Sequence, residues 1–475
     1  MMAEQTFFFY DYESFGVDPA RDRPAQFAGI RTDGDFNPIG EPVMFYCKQT
    51  NDYLPQPEAV LITGITPQKC NQAGLDEPHF AEKILNEFSQ PNTCILGYNN
   101  IRYDDEMTRY TFFRNFIDPY EYSWKNGNSR WDLLDLVRAC FALRPEGINW
   151  VYDDNGLPSF RLELLTKANG IAHENAHDAM SDVYATIAMA KLIKAKQPRF
   201  FDYFFNLRHK SAVRELLELK NMTPLVHVSG MFGAARSNTS IIAPLAENPL
   251  NPNMIICCDL SADLEDLLYL DANTLRERLY TSKIQLEEQG INPVPLKGVH
   301  LNKCPILAPL NTLLPETAER LALDRDACLA NWQKLRQSTE IRDKVADIFN
   351  VERTLAPDIN VETALYAGFF SHADKNNLAI LRSLSPEQLA NHNLAFSDPR
   401  IPKLLFHYRA RHHYSTLTRT EQLKWQKYRQ QKLAQGIDDY ALRLENLLNE
   451  YAEDNEKSQL LQHVLAHVQS VTRDI

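Results

Sequence analysis

The stretch TFFFYDYE, residues 6–13, decides the fold at the start of the chain. The run Thr6–Tyr10 is apolar and aromatic, which is typical of a buried β-strand. Two acids, Asp11 and Glu13, follow it with one tyrosine between them. Because side chains at positions i and i+2 of a strand point to the same face, we expect these carboxylates to lie side by side. Such a pair repels unless a cation lies between its members, although an isolated pair of this kind is more often a polar strand end on the surface.

A second acidic group, in the stretch YNNIRYDDE (residues 98–106), follows the apolar run Cys94–Gly97. Asn100 precedes Asp104 by four residues. Acids also stabilise the N-terminus of a helix through its macrodipole, which is a plainer explanation for the cluster. Three adjacent acids exceed what that role requires, so we expect Asp104, with Asp105 as its rival, to serve chemistry.

The third group, HDAMSD at residues 177–182, opens a helix rich in alanine. Asp182 is expected on a partly apolar face, where an aspartate is costly to bury unless it is paired or bound to a metal. The plainer interpretation is that Asp178 caps the helix and that His177 is an exposed loop residue.

Together, the three groups supply four carboxylates and one histidine within one α/β segment. Two Mg²⁺ ions about 3.5–4 Å apart can stabilise the attacking and leaving oxygens of a phosphodiester displacement, and Mg²⁺ prefers oxygen ligands. Histidine has a suitable pKa for accepting a proton from water. The pattern therefore predicts metal-dependent phosphodiester cleavage by these residues: Asp11, Glu13, Asp104, His177 and Asp182.

Length and periodicity predict about three domains in the 475 residues. Residues 1–198 alternate strands and helices, which predicts an α/β catalytic domain with a mixed sheet. Residues 199–350 carry short strands with helical insertions, including one helix expected over Asn273–Glu288. Residues 355–475 show mostly helical periodicity. The segments Lys196–Arg199 and Leu355–Asn360 are interpreted as linkers.

Composition limits the cellular setting and the partners. The net charge of -12 lowers the expectation of non-specific duplex binding, but it leaves a local catalytic groove open. No stretch is apolar enough for a membrane span, and the start does not resemble a secretory signal. The eight cysteines are scattered without a C-x-x-C pair, which favours free thiols in a reducing cytoplasm.

The ordered motifs resemble those of the DEDD superfamily of 3′→5′ exonucleases, in its histidine-bearing subclass. Longer stretches along the whole chain resemble the bacterial exonuclease I family. They include DYESFGVDPARDRPAQFAGIRTD, CILGYNNIRYDDE, AHDAMSDVYATIAMAKL, PLVHVSGMFGAARSNTS and KLLFHYRAR.

The resemblance implies a ribonuclease-H-like exonuclease domain, a small SH3-like β domain and a C-terminal helical domain. It implies that Asp11, Glu13, Asp104 and Asp182 hold two Mg²⁺ ions, with Mn²⁺ as a possible substitute, and that His177 is the general base. It also implies digestion of single-stranded DNA to 5′-mononucleotides in DNA repair and recombination. The implied partner is the C-terminal tail of single-stranded DNA-binding protein, and the chain is expected to be a cytoplasmic monomer.

Single-strand binders combine cationic tracks with aromatic stacking platforms. By that rule, the candidate substrate contacts include Phe15, Tyr98, Arg102, Arg130 and Arg161. The predicted substrate-binding set also contains Glu13 and Asn100. The loop that contains His227, Phe232 and Arg236 could approach a strand closely or be an ordinary hairpin. The basic run 408–414 is interpreted as a solvated helix face rather than a DNA contact. An acidic protein tail needs a cation beside an apolar pocket, for which Arg144, Arg336 and Arg342 are candidates.

Two other functions stay open on the sequence alone. An exoribonuclease or a polymerase proofreading subunit of the same superfamily would use the same motifs, although the additional domains argue against a bare proofreading module. A non-catalytic scaffold that binds single strands is the alternative from another class. Clustered acids argue against it, because negative charge near phosphates gives a pure binder nothing.

Overall fold

The computed structural model describes residues 4–172, 178–351 and 360–473. The chain divides into two compact units. Unit 1 comprises Met1–Asn128, His173–Tyr184 and Leu355–Ile475, and unit 2 comprises Ser129–Ala172 and Ala185–Thr354. The linker predicted at residues 355–360 falls almost entirely outside the described residues.

The described chain contains strands and helices in alternation, followed by strands and then helices alone. The strands are β1 Thr6–Ser14, β2 Pro24–Thr32, β3 Val43–Tyr46, β4 Thr93–Gly97, β5 Ser129–Asp132, β6 Val151–Tyr152, β7 Pro158–Ser159, β8 Leu225–Val228, β9 Thr239–Asn248, β10 Asn251–Asp259, β11 Leu296–His300 and β12 Ile306–Pro309. The first helices are α1 Pro57–Thr63, α2 Pro67–Ala73, α3 Glu77–Phe88, α4 Asp104–Arg114, α5 Leu133–Leu143, α6 Leu162–Ala168, α7 Ala179–Lys196, α8 Pro198–Asn206 and α9 Lys210–Leu216. The middle ones are α10 Glu265–Tyr269, α11 Ala272–Tyr280, α12 Lys283–Glu288, α13 Pro315–Arg320, α14 Arg325–Gln337 and α15 Ile341–Ile348. The last are α16 His372–Arg382, α17 Pro386–Ala390, α18 Arg400–His412, α19 Arg419–Ala434, α20 Ile437–Glu450 and α21 Asn455–Thr472.

Unit 1 is built on a mixed sheet in which the strand order is β3-β2-β1-β4. β1 pairs antiparallel with β2 and parallel with β4, and β2 pairs antiparallel with β3. Phe8, Tyr10 and Tyr12 on β1 enter an aromatic core with Phe27 and Phe80. Because side chains alternate along a strand, the odd-numbered residues of β1 face the other way. The observed sheet confirms the predicted α/β class.

Unit 2 contains an antiparallel five-stranded sheet in the order β11-β10-β9-β8-β12. Its inner side chains are aliphatic residues and cysteines, among them Ile241, Ile255 and Cys257. This small sheet with helical insertions confirms the β-containing middle region that the sequence predicts. The short β12 escapes prediction because Ile306–Pro309 offers only four residues and ends in a proline.

Two predicted segments differ from the structure. The single helix expected over residues 273–288 is two helices, because Ser282 accepts a hydrogen bond from the Gln285 N–H and starts a new helix with a capping box. The linker expected at Lys196–Arg199 is a break of one residue. There α7 ends at Lys196 and α8 begins at Pro198, and proline suits the first turn of a helix.

The helices after residue 360 confirm the predicted helical region. Leu444, Leu461 and Val464 pack against Phe15 and Val60 from the first part of the chain, so both stretches share one core in unit 1. Within the described ranges, no helix is both long and apolar enough to cross a membrane. All eight cysteines are buried free thiols, as the sequence predicts.

Candidate metal centre

Strand β1 presents Asp11 and Glu13 together because its other face is occupied by the aromatic core. Tyr10 and Tyr12 alternate with these acids and point into that core. A register shift in the β1–β2 pairing falls between Glu13 and Ser14, and such irregularities often re-aim side chains next to functional sites. The predicted side-by-side placement of the two carboxylates is therefore present.

Helix α7 brings Asp182 to the same place. The Asp178 carboxylate accepts a hydrogen bond from the Ser181 N–H at 3.3 Å, and the Asp178 carbonyl accepts one from the Asp182 N–H at 3.1 Å. Asp178 thus caps α7, and Asp182 lies one turn into the helix. Carboxylate oxygens of Asp11, Glu13 and Asp182 all lie within 4.8 Å of one another.

Asp104 lies at the first position of α4, and its environment separates it from Asp105. The Asp104 carboxylate is buried and accepts a hydrogen bond from the Tyr12 backbone N–H at 3.2 Å. The Asp105 carboxylate instead accepts one from the Tyr10 hydroxyl at 2.6 Å, on the core side of β1. This difference favours Asp104 as the member of the acidic site, as the spacing from Asn100 suggests.

We call Asp11, Glu13, Asp104 and Asp182 the acid cluster. Burial raises the pKa of Asp11 well above its ordinary range, and the neighbouring charges of Asp104 and Glu13 raise it further. Burial likewise raises the pKa of Glu13 to about 9, helped by Asp182 and Asp104. Every charged neighbour identified as shifting these two pKa values is another carboxylate. A set of oxygen donors that repel one another fits a divalent cation, which would neutralise them.

The predicted general base, His177, lies outside the described residues. Two of the predicted substrate contacts, Arg102 and Tyr98, lie near Asp104 in the sequence. Arg102 is exposed just before α4, and Tyr98 is partly buried just after β4.

Asn100 and Phe15 show what burial does to a predicted substrate contact. The Asn100 side chain is fully buried, and neither its oxygen nor its nitrogen has a hydrogen-bond partner. An amide buried in this way costs free energy unless water or a ligand reaches it. The Phe15 ring, which the sequence predicts to stack on a base, is fully buried with Tyr53 and Leu461, and its contact with the substrate stays a prediction.

The candidate contacts in unit 2 are mostly engaged within the unit. Arg130 is buried and donates to the Asn302 carbonyl at 2.7 Å, whereas Arg161 is exposed and pairs with Glu163. Burial lowers the pKa of His227 to about 3, so this histidine is a neutral core residue whose Nδ1 donates to the Ile306 carbonyl.

The predicted tail-binding cations occupy three different settings. Arg144 is partly buried and donates to the Thr312 carbonyl at 3.3 Å. Arg336 is exposed and lies over the Trp332 ring at 4.9 Å, and Arg342 donates to the Lys220 carbonyl.

The interpretation of residues 408–414 as a solvated helix face is wrong. Arg409 is buried on α18 and pairs with Glu421 at 2.8 Å. Arg411 is also buried, and it pairs with Asp52 at 2.6 Å and with Glu362. The run is basic because it neutralises buried carboxylates, which periodicity along one helix could not indicate.

Comparison with known proteins agrees with this architecture in all three parts of the chain. The family described as "Exonuclease" matches residues 8–190, "Exonuclease I SH3-like domain" matches residues 208–351, and "Exonuclease I C-terminal domain" matches residues 359–471. Exodeoxyribonuclease I of Haemophilus influenzae is 68% identical over 464 residues, which cover 98% of each chain.

Solved structures extend the similarity to complexes. Exonuclease I of Escherichia coli in complex with a dA16 oligonucleotide superposes with a TM-score of 0.96 at 55% identity, covering 99% of this chain and 100% of that one. A zinc-bound form of the E. coli enzyme with single-stranded DNA has a TM-score of 0.94 at 55% identity, with the same coverage. A complex of SSB and exonuclease I with the inhibitor CFAM has a TM-score of 0.93 at 53% identity, again with that coverage. With a ribonuclease-H-like exonuclease region, an SH3-like region and a helical C-terminal region, this chain belongs to the exodeoxyribonuclease I family of exonucleases.

Proposed function

We propose that this protein hydrolyses single-stranded DNA from the 3′ end to 5′-mononucleotides, with two Mg²⁺ ions held by the acid cluster. The observation that carries the proposal is the convergence of the Asp11, Glu13 and Asp182 oxygens within 4.8 Å. Membership of the exodeoxyribonuclease I family supports the substrate and the reaction. Divalent ions would supply positive charge opposite the attacking and leaving oxygens of the phosphodiester.

Each residue of the proposed site has a distinct role in metal binding or proton transfer. Asp11 and Glu13 on β1 and Asp182 on α7 provide ligands from two elements, so their spacing depends on how the helix is anchored on the sheet. Asp104, held by the Tyr12 N–H, is the fourth ligand. His177 is the proposed proton acceptor for the attacking water.

The proposed substrate contacts are residues close to the cluster and cations further along the chain. They are Glu13, Phe15, Tyr98, Asn100, Arg102, Arg130 and Arg161. Of these, Arg102 and Arg161 are exposed, so a phosphate can reach them without rearrangement.

The decisive test replaces one ligand and one matched aspartate. Asp182→Ala should lower the rate of nucleotide release by about 10³-fold or more, because charge stabilisation by a metal is worth several kcal/mol. Asp438→Ala, at an exposed position in the first turn of α20, should remain near wild-type activity. Comparable rates for the two variants would refute the ligand assignment.

Polarity and substrate class need a separate experiment. Single strands labelled at the 3′ or the 5′ end are incubated with Mg²⁺ or with a chelator. Immediate loss of the 3′ label as a mononucleotide, only with Mg²⁺, is the expected result. Faster digestion of a matched RNA strand would favour the exoribonuclease alternative. Strand binding that a chelator leaves unchanged, without any nucleotide release, would favour the scaffold.

We further propose that the partner is the C-terminal tail of single-stranded DNA-binding protein, bound through Arg144 and Arg336. A fluorescent acidic tail peptide should bind the wild type, and its affinity should fall for Arg144→Met or Arg336→Met. Arg161→Met is the matched control, because Arg161 is exposed and paired with Glu163 in the same unit. Equal affinities in all variants would place the tail elsewhere.

The remaining proposals concern organisation and setting. The catalytic, SH3-like and helical domains are proposed as residues 1–198, 199–350 and 355–475. We expect a cytoplasmic monomer that acts in DNA repair and recombination, and the buried free thiols agree with a reducing compartment. Light scattering at micromolar concentration would reveal a dimer if one forms.

A further inference from the structure

Gln26 on β2 connects the sheet that carries Asp11 and Glu13 to the helix that carries Asp182. In the β1–β2 pairing, Gln26 lies directly opposite Glu13, so both side chains point to the same face of the sheet. The Gln26 side chain is 1% exposed, although glutamine usually lies at the surface. A polar side chain buried beside a set of acids requires a structural reason.

That reason lies at the start of α7. The Gln26 Nε2 donates to the Asp178 Oδ1 at 3.3 Å, and the Gln26 Oε1 accepts from the Ala179 backbone N–H at 3.4 Å. One amide therefore satisfies both the capping carboxylate and one of the N–H groups that a helix leaves without an internal partner. The amide nitrogen and the amide oxygen contact consecutive residues, so the start of α7 is held to β2 at two points.

Asp178 transmits this restraint to the acid cluster. Its carbonyl accepts from the Asp182 N–H and its carboxylate from the Ser181 N–H, so the first turn of α7 is fixed relative to Asp178. The path from Gln26 to Asp182 thus contains two hydrogen-bonded steps, from the Gln26 amide to Asp178 and from the Asp178 carbonyl to the Asp182 N–H. Without it, the start of α7 would lose both of its hydrogen bonds to the Gln26 amide on β2.

We propose that Gln26 is a positioning residue, which sets the distance between the α7 ligand and the β1 ligands of the divalent-metal site. This inference rests on the proposed function only in that the acid cluster binds a divalent ion. Outer-shell hydrogen bonds of this kind typically change metal affinity or activity by about 10–100-fold when they are removed.

The test measures metal binding directly, with Mn²⁺ as the probe. Gln26→Met keeps the length and approximate volume of the side chain but removes both hydrogen bonds. Electron paramagnetic resonance of Mn²⁺ added to the full-length, DNA-free protein should show binding weakened by about 10–100-fold. With excess metal, kcat should recover towards wild type, and the KM for a single strand should stay unchanged. A residue that matters only for folding would not produce this separation.

Gln49→Met is the matched control. Gln49 is also partly buried in unit 1, and its Nε2 donates to the Pro24 and Cys47 carbonyls rather than to α7. It should bind Mn²⁺ like the wild type. Gln26→Asn, which retains the amide but withdraws it by one methylene, repeats the test if Gln26→Met does not fold.

The outcomes separate the inference from the proposed function. If a folded Gln26 variant binds Mn²⁺ within about twofold of wild type, the positioning role is refuted, whereas a shift of the expected size supports it. If the wild type itself binds Mn²⁺ but releases no nucleotides from DNA, the proposed function fails while the positioning role can still be read from the Mn²⁺ affinities. If the wild type binds no Mn²⁺, both are refuted.

Discussion

Unit 1 contains two buried groups of carboxylates with opposite electrostatics. In the acid cluster, burial and the charges of neighbouring carboxylates together raise the pKa values of Asp11 and Glu13. The second group, which we call the ion network, consists of Asp52 and Glu362 with the cations Arg23, Arg411 and Lys432.

In the ion network, cations overcome the effect of burial. Burial alone would raise the pKa of Asp52, but Arg411 and Lys432 hold it well below its ordinary range. Glu362 behaves in the same way with Arg411 and Arg23. The network joins the chain after β3 to α18 and α19, and each of its two acids is paired with two cations of the chain. In the acid cluster, by contrast, burial and the neighbouring carboxylates both oppose the ionisation of Asp11 and Glu13.

The comparison shows that burial of a carboxylate does not by itself reveal its role. A buried acid whose counter-charge is supplied by the chain serves structure, whereas buried acids that raise one another's pKa favour the binding of a cation from solution. Removing a charged member should therefore lower the free energy of unfolding in the ion network and raise it in the metal-free acid cluster. The following predictions use that difference.

The largest effect is expected from breaking the ion network. Arg411→Met leaves Asp52 and Glu362 without their shared guanidinium, and the loss of one partner from a buried ion pair costs about 3–5 kcal/mol. Urea denaturation followed by the fluorescence of tryptophan should show the transition of unit 1 at a lower urea concentration. An unchanged midpoint would mean that water or Lys432 replaces the missing charge.

A somewhat smaller effect is expected when metal is added to the acid cluster. The Glu13 carboxyl has a pKa of about 9 in the folded protein against an ordinary value of 4.5, so the folded state retains a proton that the unfolded chain releases between these values. Without metal, the stability contribution of this group therefore falls as the pH rises through that window. A divalent ion at about 100 times its Kd should stabilise the protein by about 2.7 kcal/mol.

Thermal unfolding with Mg²⁺ or a chelator, at about pH 6 and about pH 8, checks this prediction. The increase in unfolding temperature caused by the metal should be larger at the higher pH, because metal binding requires ionised carboxylates. Arg411→Met should show the same stabilisation by metal as the wild type, since the Arg411 guanidinium pairs with Asp52 and Glu362. An increment that does not change with pH would contradict the linkage.

Removing one charge from the acid cluster should have the opposite sign to Arg411→Met. Glu13→Gln should increase the free energy of unfolding of the metal-free protein at about pH 8 by at least about 1.4 kcal/mol, the equivalent of one pKa unit. The same variant should lose nucleotide release and the stabilisation by Mg²⁺. A decrease in metal-free stability would show that Glu13 has a structural partner.

The sequence was sufficient for those features that depend on local pattern. The alternation along Thr6–Ser14 predicts that Asp11 and Glu13 share a face, and the cap at Asp178 predicts where α7 begins. The apolar run Cys94–Gly97 lies within the observed strand Thr93–Gly97. In each case, the determining interactions lie within one strand or one helical turn.

Features that depend on distant partners could not be predicted in this way. The burial of Arg411 depends on Asp52, 359 residues away, and the burial of Phe15 depends on helices near the end of the chain. The choice between Asp104 and Asp105 is decided by which face of β1 each meets. The role of Gln26 could not be predicted from the sequence, because a single glutamine in an apolar strand is explained only by its contacts with the start of α7.

The smallest effect is expected for an ion pair that differs from the network mainly in its exposure. Arg443 on α20 pairs with Glu58 on α1, so it also joins the two ends of the chain within unit 1, but half of its side chain is exposed. Arg443→Met should change the free energy of unfolding by about 0–1 kcal/mol, because solvent screens such pairs and replaces the lost contact. The same urea titration as for Arg411→Met measures it. If Arg443→Met and Arg411→Met lowered the free energy of unfolding equally, the loss would be due to separating distant segments of the chain. Burial of the charges would then not explain the effect of Arg411→Met.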